Sequence, residues 1–364
     1  MREYLKEVAR GPRGSKDLTY EEMRKVATMI VTGEASDVQI TAFLVAERMK
    51  GETTDEIRAF ADILRQQCSR LQDMADTDTA DMSDMGNMAE NDTLEGPTLD
   101  CAGPYDGRRH SFLATIPVAA ILAASGIRVC LHSSDSLPPK LGTTPKQVLR
   151  LLGIQALGDL AEIRKSIKER GFSLIDPEAV CDPLRRLRGI RMDIGVRTLI
   201  NTAEKLLNLS SADYLITGVF HKTALEKVSG ILAHSNFKRA CVVQGLDGSE
   251  DVSTDGPFLC QLIQNGSSSR HVIEPRNLGL YQPNPPVNLS ASEQAKEVEQ
   301  VLTNQSPEFR NMVLLNSGLR LWVTDQVKSI HEGVQVSQEV LNCGAAWAKF
   351  QSWRTDLPLM PGTN

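Results

Sequence analysis

Apolar and polar positions follow two rhythms along this chain, and the change between them divides it. From Leu18 to Cys68 apolar residues recur every three or four positions, the period of a helix with one buried face. LTYEEMRKVATMIVTG sets Met23, Val26, Ala27 and Ile30 on one side, with Thr19 and Glu22 as a capping box and Gly33 to close the helix. Ser36 with Gln39 repeats the start signal for DVQITAFLVAERMKG, which Gly51 closes, and Thr53 with Glu56 opens TDEIRAFADILRQQC. The pattern predicts a small helical bundle. After Thr98 the rhythm shortens to continuous apolar runs bounded by Gly, Pro and Asp, as in buried strands. TLDCA runs into a turn, GPYDG; a helix is predicted from Leu113 to Ser125, and IRVCLH is a strand from Ile127 to His132. A polar loop, SSDSLPPKLGTTP, and a second helix, KQVLRLLGI, follow. ACVVQG reads as a further strand, and Pro275–Pro286 as a Pro-rich loop ahead of the last helices.

Composition bounds this picture. A chain of 364 residues is long enough for two unequal domains. Aromatic content of 5% offers little platform for base stacking. The apolar run Leu113–Ala124 is shorter than the ~20 residues a membrane span needs, and MREYLKEVARGPRGSKD has no secretory apolar region; a cytoplasmic protein without membrane contact is expected. The seven cysteines are scattered without a CxxC pair, which fits reduced thiols rather than a disulfide framework or a zinc site. The net charge of −6 comes from Asp73–Asp92, whose seven carboxylates have no Lys or Arg among them; without it the chain stands at +1. That segment is expected to be a disordered linker, with residues 1–72 before it and an α/β domain over 97–364 after it.

The stretch Thr98–Ile154 has the layout of a phosphate site, because a glycine turn opening a helix can present free N–H groups to an anion. Together with LTYEE, VTGEASDVQITAFLVAERMKGETTDEI, the Asp106–Gly107 turn, RMDIGVRTLIN and QGLDGSED, it resembles the anthranilate phosphoribosyltransferase family, glycosyltransferase family 3, whose fold is shared with class II nucleoside phosphorylases. The resemblance covers nearly the whole chain outside Asp73–Asp92. It implies an α/β fold class with a small N-terminal helical domain and a central mixed sheet flanked by helices, Arg185–Asn208 folded back onto the helical domain, and a homodimer.

The resemblance also implies a site for phosphoribosyl pyrophosphate and Mg²⁺. Gly103, Asp106 and Gly107 fall on the family's Gly-Thr-Gly-Gly-Asp-Gly loop, but Pro104 removes an N–H donor and Tyr105 adds bulk. Thr115 supplies the one hydroxyl where the family has Asn-Ile-Ser-Thr, and His132 remains of Lys-His-Gly. Gly142-Thr143-Thr144-Pro145 replaces Gly-Ser-Ala-Asp, so one metal-bridging Asp is missing. Glu250 and Asp251 fall, in swapped order, on the pair that holds magnesium, as adjacent carboxylates can. Arg191 falls on the arginine that takes the acceptor's carboxylate. The changes together predict that ordinary transfer to anthranilate is absent or very weak, and the first reading is transfer or binding of another phosphorylated ligand. A second reading is a non-enzymatic nucleic-acid binder. Arg185, Arg186, Arg188, Arg191 and Arg197 would hold a polyanion, and NTAEKLL resembles a branch of the family associated with that role.

Overall fold

The computed structural model describes residues 1–11, 13–71, 96–285 and 287–354, so the acidic segment Asp73–Asp92 lies outside the described residues. The N-terminal bundle comprises α1 (Arg2–Val8), α2 (Tyr20–Val31), α3 (Asp37–Lys50) and α4 (Thr54–Gln66). All three expected capping boxes form, at Thr19/Glu22, Ser36/Gln39 and Thr53/Glu56, each worth about 1 kcal/mol. Glu56 does more than cap: buried, it also accepts from the N–H of Leu18 at 2.7 Å and pairs with Lys50 at 2.7 Å.

Glu47 lies beside this cluster, fully buried, with Lys50 3.5 Å away. Burial, reinforced by the Glu56 carboxylate, raises its pKa from 4.5 to about 8. A raised folded-state pKa stabilises below the unfolded value and loses that stabilisation as pH rises through the folded one. Glu47→Gln is therefore expected to be near neutral at pH 4.5 and increasingly stabilising, relative to the native chain, up to about pH 8. Urea unfolding across that range checks this; a deficit that deepens with pH would show that Glu47 is an ionised, stabilising partner of Lys50.

The α/β domain runs β1 (Thr98–Ala102), α5 (Thr115–Ala124), β2 (Arg128–His132), α6 (Pro145–Leu151), α7 (Leu160–Arg170), β3 (Phe172–Ile175), α8 (Pro177–Val180), α9 (Asp182–Ile194), α10 (Ile200–Ala203), β4 (Tyr214–Val219), α11 (Lys222–Leu232) and β5 (Arg239–Gln244). The hairpin β6 (Phe258–Gln264) and β7 (Ser267–Ile273) follows, then α12 (Ala291–Leu302), α13 (Arg310–Val323), α14 (Ile330–Asn342) and α15 (Ala345–Gln351). The seven strands form one mixed sheet in the order β3-β2-β1-β4-β5-β6-β7. The first five are parallel and the last two antiparallel. One face packs on α5 and the C-terminal helices, the other on the bundle and α9–α11. α5 is buried from Thr115 to Ala123, which is why its sequence shows no polar face. Arg65 donates to the carbonyls of Leu206 and Leu207, and Arg186 to that of Val31, tying the segment after β3 to the bundle.

The expectation that all the cysteines are reduced thiols is corrected. Cys68, after α4, and Cys181, before α9, form a disulfide with Cα atoms 4.2 Å apart. A separation of 113 residues left no local spacing to reveal it. No helix among the described residues is long and apolar enough to cross a membrane.

Candidate functional site

The strand order reverses between β1 and β4, and in an open parallel sheet the crevice beyond the carboxyl ends at such a reversal is where loops converge. Loop Gly103–Gly107 follows β1, Ser133 follows β2, Phe220 follows β4, and Gly245–Asp251 follows β5. Of the expected site residues, Gly103, Gly107, Thr115, His132 and Glu250 line one shared cavity here, while Asp106 lines a neighbouring opening. The shared cavity has a volume of only about 10 Å³, room for a single water.

The cavity is closed by internal charge pairing. Arg108, three per cent exposed, donates to Asp251 Oδ2 at 2.5 Å and to Glu250 Oε1 at 3.1 Å. Arg320, from the middle of α13 and wholly buried, donates to Asp251 Oδ1 at 2.7 Å and to the Glu250 carbonyl at 3.3 Å. Burial opposes ionisation of Asp251, but the two guanidinium groups outweigh it and hold its pKa below the usual carboxylate range. Asp251 Oδ2 also accepts from the N–H of Thr115 at 2.8 Å, so the first N–H of α5, a candidate phosphate donor, is already engaged. The helix starts at Thr115 rather than Leu113, and the Leu113 N–H just ahead of it donates to Gln294 at 3.0 Å.

The carboxylates expected to hold Mg²⁺ are thus neutralised by arginines. A divalent cation needs several oxygen ligands free to turn toward it, and Asp251 spends both oxygens on guanidinium and backbone donors. Among the described residues no group of three His, Cys, Asp or Glu side chains could hold a metal. Of the four oxygens on these two carboxylates, Glu250 Oε2 is the one buried without a hydrogen-bond partner, and a Cβ at Gly103 would stand 2.8 Å from it. The residues as arranged do not fit Mg²⁺.

The position expected to take an acceptor is filled in the same way. Arg191, expected to take a carboxylate from the acceptor, pairs at 2.6 Å with the chain's own Glu204, both buried. Behind it, Tyr105 Oη lies 2.6 Å from His132 Nδ1, and His132 Nε2 lies 2.9 Å from Asp100. Burial would disfavour the imidazolium, but the Asp100 carboxylate outweighs it and raises the His132 pKa. Tyr105, two per cent exposed, lies inside this chain of contacts.

The arginines do not form one patch. Arg197 bonds to Asp106 at 2.8 Å, and Lys140 meets the same carboxylate at 3.0 Å. Arg188 pairs with Glu178 at 2.7 Å and donates to the carbonyls of Asp135 and Ser136. Arg185 and Arg186, on the exposed side of α9, share the Asp182 carboxylate. Sequence reasoning missed Asp100, Arg108 as an inner partner, Arg320 and Gln294. Arg320 left one trace: with Asn316 it is a polar pair at helical spacing inside the apolar run NMVLLNSGLRLWV. Asn316 pins the site by bonding to both the N–H and the carbonyl of Val252. A larger cavity of 370 Å³ between α7 and Trp353 holds none of these groups.

The sequence matches the families described as "Glycosyl transferase family, a/b domain" over residues 102–347 and "Glycosyl transferase family, helical bundle domain" over 2–68. It is 28% identical over 345 residues to the anthranilate phosphoribosyltransferase of Dehalococcoides mccartyi, covering 93% of each chain. Identity to that of Pelobacter propionicus is 29% over 341 residues, covering 92% of this chain and 94% of the relative. The crystal structure of anthranilate phosphoribosyltransferase from Thermus thermophilus shares the fold with a TM-score of 0.77 at 22% identity, covering 96% of this chain and 98% of that one. The Saccharomyces cerevisiae enzyme in complex with PRPP and Mg gives 0.78 at 16%, covering 97% and 96%. With both its domains matched in order, the chain belongs to the glycosyltransferase family of the anthranilate phosphoribosyltransferases.

Proposed function

We propose that this chain carries the transferase fold without magnesium-assisted phosphoribosyl transfer to anthranilate, and acts as a binding protein. The observation that carries this reading is Arg108, seated between Glu250 and Asp251 at 3.1 and 2.5 Å. A phosphoribosyl transfer site works by positioning the pyrophosphate and stabilising developing charge. Here the cations that would meet that charge are spent on the protein's own carboxylates, and the remaining cavity of about 10 Å³ admits no sugar phosphate. The yeast relative binds PRPP and Mg; this reading sets the present chain apart from it. An assay of anthranilate-dependent consumption of phosphoribosyl pyrophosphate with Mg²⁺ is expected to show no turnover above the uncatalysed rate. Robust turnover refutes the reading.

One observation favours nucleic acid as the bound partner. Arg185 and Arg186 have side chains 68% and 43% exposed and share a single carboxylate, which leaves residual positive charge on an exposed helix face. Binding of a DNA duplex through these groups would weaken steeply with salt, with a slope of about −0.9 per phosphate neutralised. The triple substitution Arg185/Arg186/Arg188→Ala should flatten that slope; unchanged affinity and slope would remove the arginines from the interface.

A further inference from the structure

A second opening lies beside the closed cavity and shares only Pro104 with its lining. Its volume is about 170 Å³. Lys205 reaches into it from the short 3-10 turn Glu204–Leu206 that follows α10. The residue is only 7% exposed, and its Nζ donates to the Gly218 carbonyl at 2.6 Å. An ammonium has three donors, and a buried cation left short of partners is costly.

The carboxylates around Lys205 already have partners. Glu204 is held by Arg191 at 2.6 Å, and Asp106 by Arg197 at 2.8 Å and Lys140 at 3.0 Å. Asp247 accepts from the N–H of His110 and the hydroxyl of Ser111, at 3.0 and 2.8 Å. Glu250, which also faces Lys205, is matched together with Asp251 by Arg108 and Arg320. Setting the cations Arg191, Arg197, Lys140 and Lys205 against Asp106, Glu204 and Asp247 leaves one positive charge at the opening. Phe220 and His221 stand at the same opening, their rings in edge contact with centroids 4.9 Å apart and Phe220 half exposed.

We propose that this opening is a binding site for a small oxyanion, a carboxylate or phosphate-type group, taken up by Lys205 beside Arg197. The anion supplies the acceptors that the Lys205 ammonium lacks and balances the surplus charge. Burial lowers the Lys205 pKa to about 8, with Glu204 acting against it and Arg197 with it. An anion in the opening favours the protonated form, so binding draws a proton onto Lys205 near pH 8. The inference goes beyond the function proposed above and does not depend on it: the two openings share only Pro104, and Glu250, the closed-cavity carboxylate that faces Lys205, is already matched by Arg108.

Sulfate is the probe, because its charge is constant across the pH range of interest. The native full chain is titrated calorimetrically with sodium sulfate against sodium chloride at equal ionic strength, in buffers of different ionisation heat, with and without EDTA. Saturable one-to-one binding is expected, about tenfold weaker at pH 9 than at pH 7 as Lys205 loses its proton. Proton uptake near pH 8 and no effect of EDTA are also expected. A parallel titration with acetate separates a carboxylate ligand from a phosphate-type one; saturation by neither anion overturns the proposal. Lys205→Met should abolish binding, and unchanged binding in the folded variant overturns the assignment. Should the variant not fold, the native chain is acylated with and without sulfate and its peptides are weighed; sulfate must protect Lys205, and equal labelling counts against the site. Binding of Mg²⁺ with phosphoribosyl pyrophosphate elsewhere would contradict the proposed function and leave the sulfate result standing.

Discussion

Replacing Arg320 by methionine is expected to lower the stability of the chain by about 3–5 kcal/mol, the range for removing one partner of a buried ion pair. Arg320 is wholly buried in α13, and its guanidinium meets Asp251 at 2.7 Å. Methionine fills part of the volume but leaves one Asp251 oxygen facing apolar side chains. Arg108 and the Thr115 N–H still serve the other oxygen, so the loss should stay below the cost of an isolated buried charge. Urea unfolding followed by circular dichroism measures the effect. Adding Asp251→Asn to Arg320→Met should cost less than the two single losses combined, because the second change removes the charge that the first left unpaired. A loss under about 1 kcal/mol for Arg320→Met would instead show that Arg108 and the Thr115 N–H suffice to hold the Asp251 charge.

Gly218→Ala is expected to cost about 3 kcal/mol or more, at the upper end for overpacking. Gly218 lies in β4, opposite Val243 of β5. A Cβ there would stand 1.5 Å from the Ser249 carbonyl oxygen and 2.1 Å from its carbon. These are backbone atoms, so no rotamer change relieves the clash. The loop carrying Glu250 and Asp251 must lift off the sheet, and the pairs to Arg108 and Arg320 go with it. Thermal unfolding should show a large fall in midpoint, and the variant's soluble yield should drop with it. A midpoint within a degree or two of the native value would mean that the Ser249 backbone does not cross β4 this closely.

Much of the architecture could be read from the sequence because it rests on local rules. The capping boxes at Thr19, Ser36 and Thr53 need only residues three apart, and the strand predicted from Ile127 to His132 is found from Arg128. The site was legible only in outline. Glycine and acidic positions near the strand ends pointed to the crevice, and the structure brings Gly103, Gly107, Thr115, His132 and Glu250 to one cavity. What occupies their polar atoms was not legible. Arg108 and Asp251 are 143 residues apart, Arg320 and Asp251 are 69 apart, and Arg191 meets Glu204 only because α9 turns back at Gly195. A sequence shows which charges exist, while the fold decides which of them cancel. The density of arginines from Arg185 to Arg197 reads as one cationic surface in sequence, but in space it is divided among Asp182, Glu178, Glu204 and Asp106.

Those cancelled charges make one experiment decisive for the reading of this chain as a transferase fold without the transferase's metal chemistry. The purified protein is titrated calorimetrically with phosphoribosyl pyrophosphate in the presence of Mg²⁺, and again with EDTA in its place. No Mg²⁺-dependent, saturable binding is expected, because Arg108 and Arg320 already occupy the carboxylates of Glu250 and Asp251. Saturable binding that requires Mg²⁺ and disappears in Asp251→Asn would contradict this reading, and would mean that the metal displaces Arg108 and opens the cavity.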